Sequence, residues 1–390
     1  MSDQIKVQTL DPLRASLAQM EALFGTGEFE EAATCVIGFL QQTTGTPREA
    51  IRESAAILLE RYNELAAENL AQSNPGPRDS SCASLLHIHK RVEHHVPPDR
   101  RMRAAHALAH ELCGDFRRSI EILGSIANAN EGSAMTSRIR RDMKLAENVL
   151  AGAGRYPDFI LLGAQKAGTT SFYDMMCAHP DCLPCVRKEA HFFDTDLNYA
   201  RGLAYYRAHF VDDTERARIA IEKTPIYLAH AAARERIVAM PAKPGLIAIL
   251  RHPVDRAWSG YRMGAERRPM QHPPFDRVLR DAAQRYRDDP ASGQVNLFGR
   301  GDYANQLRAW FTHLPRERFL ILGFDEWVNR NPDAMRAIES FMGIRIEGVP
   351  TPHSRAGTAS TLDPAVRERL SALYRDSDEE LFELIGRRLY

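Results

Sequence analysis

Apolar residues recur every three or four positions through the first part of the chain, which is the spacing of an amphipathic helix. Residues 11–72 show this spacing first, and Ile51–Leu70 adds strong helix formers. Ser73–Pro77 interrupts the pattern with two prolines and a glycine, and residues 101–127 resume it. These observations predict an all-α domain over residues 1–150.

Two short segments of this region resemble each other and lie between apolar helical stretches. Gly27–Ala32 reads Gly-Glu-Phe-Glu-Glu-Ala, and Gly114–Ser119 reads Gly-Asp-Phe-Arg-Arg-Ser. Such a turn joins the helix pair of a tetratricopeptide-like repeat, although the repeat period of about 34 residues is not clean here. Two interpretations therefore stay open, a degenerate helical repeat and an unrelated helical bundle.

The pattern changes after Ala151–Gly154, where short apolar runs begin to alternate with helical stretches. The predicted buried strands are Phe159–Gly163, Ala217–Ile221, Leu246–Leu250 and Phe319–Leu322. The predicted helices are Ser171–Ala178, Ala231–Met240, Arg256–Met263, Tyr303–Thr312 and Pro332–Met342. Strands that alternate with helices predict an α/β domain over residues 151–390, with helices flanking a parallel sheet.

The composition is that of an ordinary globular protein. Hydrophobic residues are 44%, charged residues are 26%, and the formal net charge is zero over 390 residues. This balance gives no global signal for nucleic acid or an acidic membrane surface. No apolar run reaches the roughly 18–20 residues of a membrane span, and the N-terminus lacks a signal-peptide core. We therefore expect a cytoplasmic protein without a transmembrane segment, whose six cysteines are thiols.

The first predicted strand runs into a glycine-containing turn and then into a helix. The turn reads Gly163-Ala164-Gln165-Lys166-Ala167-Gly168-Thr169-Thr170-Ser171. Backbone N–H groups and the positive end of the helix dipole meet at such a turn, which suits a phosphate group. The usual nucleoside-triphosphate loop has its lysine directly after the last glycine, whereas Lys166 precedes Gly168. We therefore predict a phosphate-binding turn of a different type.

A second candidate phosphate site follows the third predicted strand. Arg251 comes directly after Leu246–Leu250, and Ser259 lies about two turns into the helix that begins just after Pro253. Arginine suits a bidentate contact with phosphate. Two phosphate-binding elements on one sheet suit a nucleotide that is phosphorylated at two separate places.

These motifs resemble those of the PAPS-dependent sulfotransferases, whose donor is 3′-phosphoadenosine-5′-phosphosulfate (PAPS). The resemblance rests on Lys166–Thr170 and on Leu250–Ser259, which reads Leu-Arg-His-Pro-Val-Asp-Arg-Ala-Trp-Ser. Lys188–Asp194 (Lys-Glu-Ala-His-Phe-Phe-Asp) and Glu222–Pro225 (Glu-Lys-Thr-Pro) are similar to the heparan sulfate branch, the 3-O- and N-sulfotransferases. The resemblance covers about residues 156–390, including Tyr303–Trp310. It implies the sulfotransferase fold, with a P-loop-like parallel sheet, and an enzyme of the EC 2.8.2 class.

The resemblance also implies roles for individual residues. Lys166 would contact the 5′-phosphate and the bridging oxygen of PAPS. Glu189 would take the proton of the acceptor, with His191 as the competing base. Lys223 would place positive charge near the sulfuryl group, and Lys188 either shares that task or is solvated. The residues expected to bind the donor or its product, 3′-phosphoadenosine-5′-phosphate (PAP), are Lys166, Ala167, Gly168, Thr169, Thr170, Ser171, Arg251, Ser259, Tyr303, Arg355 and Thr358.

The last two of these residues lie where this chain departs from the family pattern. The family has Lys-Gly-Arg in that loop, and this chain has His353-Ser354-Arg355-Ala356-Gly357-Thr358. No metal is expected, because lysines and backbone dipoles supply the positive charge. Two clusters are predicted to hold no metal or iron–sulfur group: Cys177, Cys182 and Cys185, which lack a fourth ligand, and His87, His89, His94 and His95, which are predicted to be a solvated surface.

The expected acceptor is a hydroxyl or amine on a carbohydrate, a glycolipid or a natural-product metabolite. Residues 262–302 are predicted to form a lid on the acceptor side. The helical domain is expected to select the acceptor, bind a protein partner or pair subunits, and no nucleic-acid partner is predicted. Two other functions stay open, a kinase or other phosphoryl transferase that uses ATP with Mg²⁺, and a non-catalytic scaffold with a relic nucleotide-binding domain.

Overall fold

The computed structural model describes residues 13, 15–23, 31–32, 34–35, 38–39, 48–72, 79–96, 98–127, 134–212, 216–267, 273–346, 348–349 and 362–390. The chain divides into two compact units. The first comprises Met1–Gly154 and Thr195–Val211, and the second comprises Arg155–Asp194 and Asp212–Tyr390. Within the described ranges, no helix has both the length and the apolar content that crossing a bilayer requires. The cytoplasmic location and the domain boundary after residue 150 stay predictions.

Helices and strands are numbered here in chain order. The helices are α1 (Arg48–Gln72), α2 (Asp79–His95), α3 (Arg100–Leu112), α4 (Phe116–Ala127), α5 (Ala134–Leu150), α6 (Thr169–Cys177), α7 (Asp196–Tyr199), α8 (Gly202–Arg207), α9 (Ala231–Val238), α10 (Pro253–Arg267), α11 (Phe275–Asp288), α12 (Pro290–Gly293), α13 (Tyr303–Phe311), α14 (Phe324–Val328), α15 (Pro332–Met342), α16 (Pro364–Ser371) and α17 (Arg375–Ile385). The strands are β1 (Phe159–Gly163), β2 (Cys182–Pro184), β3 (Ile219–Lys223), β4 (Gly245–Leu250) and β5 (Phe319–Gly323).

Helices α1 to α5 lie in the first unit together with α7 and α8, and the helices before residue 150 confirm the predicted all-α N-terminal region. Asp99 caps α3, because its carboxylate accepts the N–H of Met102 over 2.8 Å. Gly114, with a φ of 82°, takes the left-handed conformation in the turn before α4. The other similar segment, Gly27–Ala32, lies mostly outside the described residues. The tetratricopeptide-like interpretation therefore stays a prediction.

A buried ion pair ties a segment distant in sequence to this helical unit. Arg201 Nε lies 3.4 Å from Glu111 Oε2, with both side chains at most 5% exposed. Ser119 Oγ donates a hydrogen bond to Glu111 Oε1 over 2.9 Å. Asn148 Nδ2 donates to the carbonyl of Ala208 over 3.0 Å. Residues 195–211 thus pack with the helices of the first unit, which the sequence pattern did not indicate.

The prediction of a solvated histidine surface is wrong for His89. Its side chain is fully buried, and its Nε2 lies 2.9 Å from Asn63 Oδ1. The His106 ring stacks on it with 5.2 Å between centroids. Burial, followed by the charges of His106 and His110, holds the pKa of His89 well below its usual value. His89 lies on the apolar face of α2, whereas His87 and His94 are exposed.

The second unit is built on a parallel sheet with the strand order β2-β3-β1-β4-β5. Strands β1, β3, β4 and β5 are the four predicted apolar runs, shifted by no more than two residues at their ends. Their near-continuous apolar composition is typical of strands buried on both faces. The short strand β2 was not predicted, since three residues are too few to show a period. It lies at the edge of the sheet, where its terminal Pro184 is tolerated.

Parallel pairing brings the carboxyl ends of the strands to one edge of the sheet. Lys223 ends β3, Gly163 ends β1, and Arg251 follows β4. Because β1 lies between β3 and β4, the turn after Gly163 has Lys223 on one side and Arg251 on the other. In open α/β sheets, ligands bind in the crevice at this edge. The region predicted as a lid contains the end of α10, with α11 and α12, and residues 268–272 lie outside the described ranges.

Candidate active site

Backbone hydrogen bonds, one within the turn and one to strand β4, stabilise the turn between β1 and α6. The N–H of Ala164 donates to the carbonyl of Ile249 in β4 over 2.8 Å, and the N–H of Ala167 donates to that of Ala164 over 3.1 Å. Helix α6 begins at Thr169 without a side-chain cap. The N–H groups of its first turn are therefore available to a ligand, and the helix dipole favours an anion there. The predicted residues all lie in this turn, the predicted phosphate loop (residues 163–168), or at the start of α6: Lys166, Ala167, Gly168, Thr169, Thr170 and Ser171.

Gly168 allows the loop to pack closely against the aromatic side chains of Phe324 and Trp327. Its φ of 76° lies in the left-handed region. A Cβ at this position would lie 3.1 Å from Phe324 Cε2 and 3.3 Å from Trp327 Nε1. The neighbouring Lys166 has a φ of 74° although it is not glycine. A non-glycine residue in this conformation stores local strain, which is common at functional sites.

Arg251 lies against the phosphate loop from the β4 side. Its Nη1 donates to the carbonyl of Lys166 over 3.2 Å, and its guanidinium lies over the Phe324 ring, 4.6 Å from the centroid. Tyr303 Oη donates to the carbonyl of Arg251 over 2.9 Å. The structure thus brings together three of the residues predicted to bind the donor. Ser259 is half-buried on α10, about two turns beyond Arg251.

Lys223 joins the phosphate loop to the segment that carries the candidate base. Its Nζ donates to Glu189 Oε1 over 2.6 Å and to Thr170 Oγ1 over 3.3 Å. The side chain of Lys223 is only 1% exposed, and that of Glu189 is 37% exposed. A buried ammonium so close to a carboxylate is charge-compensated, and the side chain of Glu189 is partly exposed to solvent.

His191 lies between two carboxylates. Its Nε2 is 3.3 Å from Glu189 Oε2, and its Nδ1 is 2.8 Å from Asp194 Oδ2. Hydrogen bonds to Asp194 and Glu189 outweigh burial and raise the pKa of His191 to about 10. For Glu189, burial opposes ionisation, but hydrogen bonds from His191 and Lys223 lower its pKa to about 2. At neutral pH, His191 is therefore a cation and Glu189 an anion.

Other predicted residues lie apart from this cluster or outside the described residues. The Nζ of Lys188 lies 2.7 Å from Asp174 Oδ1, and its side chain is 52% exposed, so its charge is compensated on the surface. Arg355 and Thr358 lie outside the described residues. Within the described ranges, no group of three or more histidine, cysteine or acidic side chains is arranged to hold a metal ion.

Asp194 and Arg300 both contact the predicted site, and no individual role was predicted for either. Asp194 is part of a quoted motif, and its spacing of three from His191 was the available signal. Arg300 Nη1 donates to Gln165 Oε1 in the phosphate loop. Burial and the nearby charge of Arg256 lower the pKa of Arg300 to about 10. No sequence pattern indicated this contact, because it joins residues 135 positions apart.

Two groups of hydrogen-bond donors that suit anions lie at the carboxyl edge of the sheet. One group is the set of N–H groups at the start of α6, next to Gly168, where a Cβ would make tight contacts with aromatic rings. The guanidinium of Arg251, placed after the adjacent strand β4, provides the other. Lys223 and Glu189 lie beside the first of these groups, because Lys223 Nζ contacts both Thr170 and Glu189.

Comparison with known proteins finds similarity over much of the α/β part of the chain. The sulfotransferase domain family matches residues 156–367. The chain is 29% identical over 262 residues to heparan sulfate glucosamine 3-O-sulfotransferase 3B1 of Mus musculus, a match that covers 61% of this chain and 65% of that protein. It is 31% identical over 194 residues to heparan sulfate glucosamine 3-O-sulfotransferase 6 of Homo sapiens, covering 50% and 54%. The chain thus spans just under two thirds of the length of the first relative.

A solved structure of a sulfotransferase from Alicyclobacillus acidocaldarius is 29% identical, with a TM-score of 0.48. That match covers 60% of this chain and 98% of the solved one.

Proposed function

The chain belongs to the sulfotransferase family, and on this premise we propose that it transfers a sulfuryl group from PAPS to an acceptor hydroxyl or amine. The observation that carries the proposal is the position of Lys223, whose Nζ contacts both Glu189 and Thr170. A cation that touches the phosphate loop and a carboxylate together is suited to sulfuryl transfer. The reaction needs positive charge on the moving group and a base for the acceptor proton.

The donor would bind along the carboxyl edge of the sheet. The N–H groups at the start of α6 and Lys166 would hold its 5′-phosphate, and Arg251 with Ser259 would hold its 3′-phosphate. Tyr303 supports this placement because its hydroxyl fixes the carbonyl of Arg251. PAPS would supply the sulfuryl group, and Lys166 would stabilise the charge that develops on the departing phosphate oxygen.

Glu189 is the proposed base. It is ionised at neutral pH and so is ready to accept the acceptor's proton, whereas His191, with a pKa raised to about 10, already carries a proton. A carboxylate with a pKa of about 2 is a weak base. We propose that Lys223 shifts toward the sulfuryl oxygens when the donor binds. Losing part of its contact with Lys223 would raise the pKa of Glu189 and strengthen it as a base.

Transfer would then be a single in-line displacement. The acceptor oxygen or nitrogen forms a bond to sulfur as the bond from sulfur to the phosphate oxygen breaks. The acceptor's proton moves to Glu189, and PAP leaves with both electrons of the broken bond. No covalent bond to the protein forms, so catalysis depends on the positions of Lys166, Lys223 and Glu189.

We propose a carbohydrate as the acceptor. Both relatives are heparan sulfate glucosamine 3-O-sulfotransferases, and the partly exposed side chain of Glu189 is accessible to an acceptor from solvent. Glycolipids and glycosylated metabolites present the same sugar hydroxyls. A panel of defined oligosaccharides, glycolipids and aglycones, incubated with ³⁵S-labelled PAPS, would identify the class that accepts the label.

The donor site is tested first, by calorimetric titration with PAP and with ATP plus Mg²⁺. We expect PAP to bind the wild-type protein and to bind Arg251→Ala at least about 100-fold more weakly, because a phosphate loses a guanidinium partner. Arg308→Ala is the matched control, since Arg308 is exposed and pairs with Glu380 away from the site. Preference for ATP plus Mg²⁺ would favour a phosphoryl transferase instead, and the absence of any nucleotide binding would favour a scaffold.

A further inference from the structure

The segment that carries the proposed base is attached to the end of β3 through side-chain hydroxyl groups. The backbone N–H groups of Phe192 and Phe193 both donate to Tyr227 Oη, over 2.9 and 3.2 Å. The N–H of His191 donates to Thr224 Oγ1 over 3.3 Å. Residues 189–194 are called the base segment here. Three of its successive backbone N–H groups thus donate hydrogen bonds to two hydroxyl oxygens.

Both hydroxyls are oriented by one buried carboxylate. Thr224 Oγ1 donates to Glu222 Oε1 over 3.0 Å, and Tyr227 Oη donates to the same oxygen over 2.8 Å. Glu222, Thr224 and Tyr227 are all fully buried. A hydroxyl has a single proton, so donating it to Glu222 leaves the oxygen lone pairs facing the base segment. The carboxylate therefore makes both hydroxyls acceptors for backbone N–H groups.

The backbone that these hydroxyls hold is in an unfavourable conformation. His191 has a φ of 48°, in the left-handed region that non-glycine residues rarely adopt. Such a conformation persists only where the surroundings determine it. Arg236 Nη1 adds a hydrogen bond to the carbonyl of Phe193 over 2.9 Å. Hydrogen bonds to its N–H groups and to one of its carbonyl groups thus hold the backbone between Glu189 and Asp194 in place.

We propose that Tyr227, oriented by Glu222, is a positioning residue that sets the distance between Glu189 and Lys223. It touches neither the phosphate loop nor Arg251 in the contacts described above. It acts through the backbone of Phe192 and Phe193, three and four residues after the base. The proposal rests on the sulfuryl transfer proposed above, because it concerns the base of that reaction.

The test compares Tyr227→Phe with Tyr374→Phe. Tyr374 is also fully buried, and its hydroxyl donates to the carbonyl of Phe298 over 3.1 Å, away from the base segment. For Tyr227→Phe we expect kcat to fall about 10- to 100-fold, since a base misplaced by about 1 Å costs that much. We expect the Kd for PAP to stay within about twofold of wild type and amide hydrogen exchange over residues 189–194 to become faster. Tyr374→Phe should change neither kcat nor exchange in that segment.

A second pair of variants tests the other hydroxyl. Thr224→Val removes the acceptor for the N–H of His191 and should lower kcat, whereas Thr224→Ser keeps a hydroxyl and should restore most of it. Wild-type kcat and exchange rates in Tyr227→Phe would overturn the proposal. Equal losses of kcat and of PAP affinity would also overturn it, since they indicate general unfolding. If the wild-type protein sulfates no acceptor, the proposed function fails, but hydrogen exchange with PAP bound still decides whether Tyr227 anchors the segment.

Discussion

Lys223 Nζ and Glu189 Oε1 lie 2.6 Å apart, and this contact joins the proposed base to a cation beside the proposed donor site. The same Nζ touches Thr170 at the start of α6, so a phosphosulfate bound there would compete with Glu189 for the ammonium. Competition of this kind links donor binding to the strength of the base without any large movement of the chain. In the absence of donor, the ion pair keeps the buried charge of Lys223 compensated.

Replacing the proposed base should greatly slow turnover while leaving the proposed donor site intact. For Glu189→Gln we expect kcat to fall about 100- to 10,000-fold, the range typical of a lost general base. The amide oxygen still accepts a hydrogen bond from Lys223, so PAP should bind within about threefold of wild type. Steady-state transfer of ³⁵S and calorimetry with PAP measure the two quantities. Glu317→Gln, at an exposed position, is the control, and a Glu189→Gln variant with wild-type kcat would show that another group is the base.

The ion cluster should make the stability of the protein depend on pH in a defined direction. The pKa of His191 rises from 6.5 to about 10 on folding, so its stabilising contribution is full below about pH 6.5 and is lost as pH rises toward 10. The pKa of Glu189 falls from 4.5 to about 2, so its contribution is full above about pH 4.5 and is lost as pH falls toward 2. The cluster therefore stabilises the fold most between about pH 4.5 and 6.5.

The contribution of His191 to the pH dependence of stability can be measured with the variant His191→Gln. Thermal unfolding of wild type and variant at pH 6, 8 and 10 should give a difference in Tm that is largest at pH 6 and shrinks toward pH 10. His313→Gln, at an exposed histidine of the same unit, should give a small difference at every pH. A constant difference between wild type and His191→Gln would mean that the proton on His191 does not contribute.

The close packing of the phosphate loop can be separated from its backbone conformation by two glycine variants. Gly168 and Gly343 have similar positive φ values, 76° and 67°, but a Cβ at Gly343 meets nothing within 4 Å. Gly343→Ala should therefore show only the cost of the left-handed conformation, about 1 kcal/mol. Gly168→Ala adds the contact with Phe324 and should in addition weaken PAP binding by about tenfold or more. Equal effects of both variants on PAP binding would show that loop packing does not control the donor site.

The sheet and the phosphate loop could be predicted from the sequence because their signals are local. Apolar runs of four or five residues, each followed by glycine or arginine, located β1, β4 and β5, and Gly168 lies where the turn requires a positive φ. The ion cluster around His191 could not be derived in the same way. It depends on Lys223 meeting Glu189 across 34 positions of the sequence, and only the resemblance to a family indicated that the two belong to one site.

The burial of polar side chains was the least predictable feature, because composition does not show which partner a polar group will meet. His89 was assigned to a solvated surface, yet it is fully buried against Asn63. No sequence pattern predicted the burial of Arg201. Residues 195–211 lie in sequence between elements of the α/β unit, yet they pack with the helical unit. In both cases a charged or titratable residue is buried because a partner distant in sequence compensates it.

The buried pair of Arg201 and Glu111 yields a prediction for the helical unit alone. Arg201→Met leaves the carboxylate of Glu111, only 3% exposed, without its cation, and such a loss typically costs about 3–5 kcal/mol. The double variant Glu111→Leu with Arg201→Met removes both charges and should recover much of that loss. Urea unfolding followed by circular dichroism measures both, and the PAP affinity of each variant should stay at the wild-type value because the donor site lies in the other unit. A double variant less stable than Arg201→Met would show that the pair itself stabilises the unit, beyond compensating a buried charge.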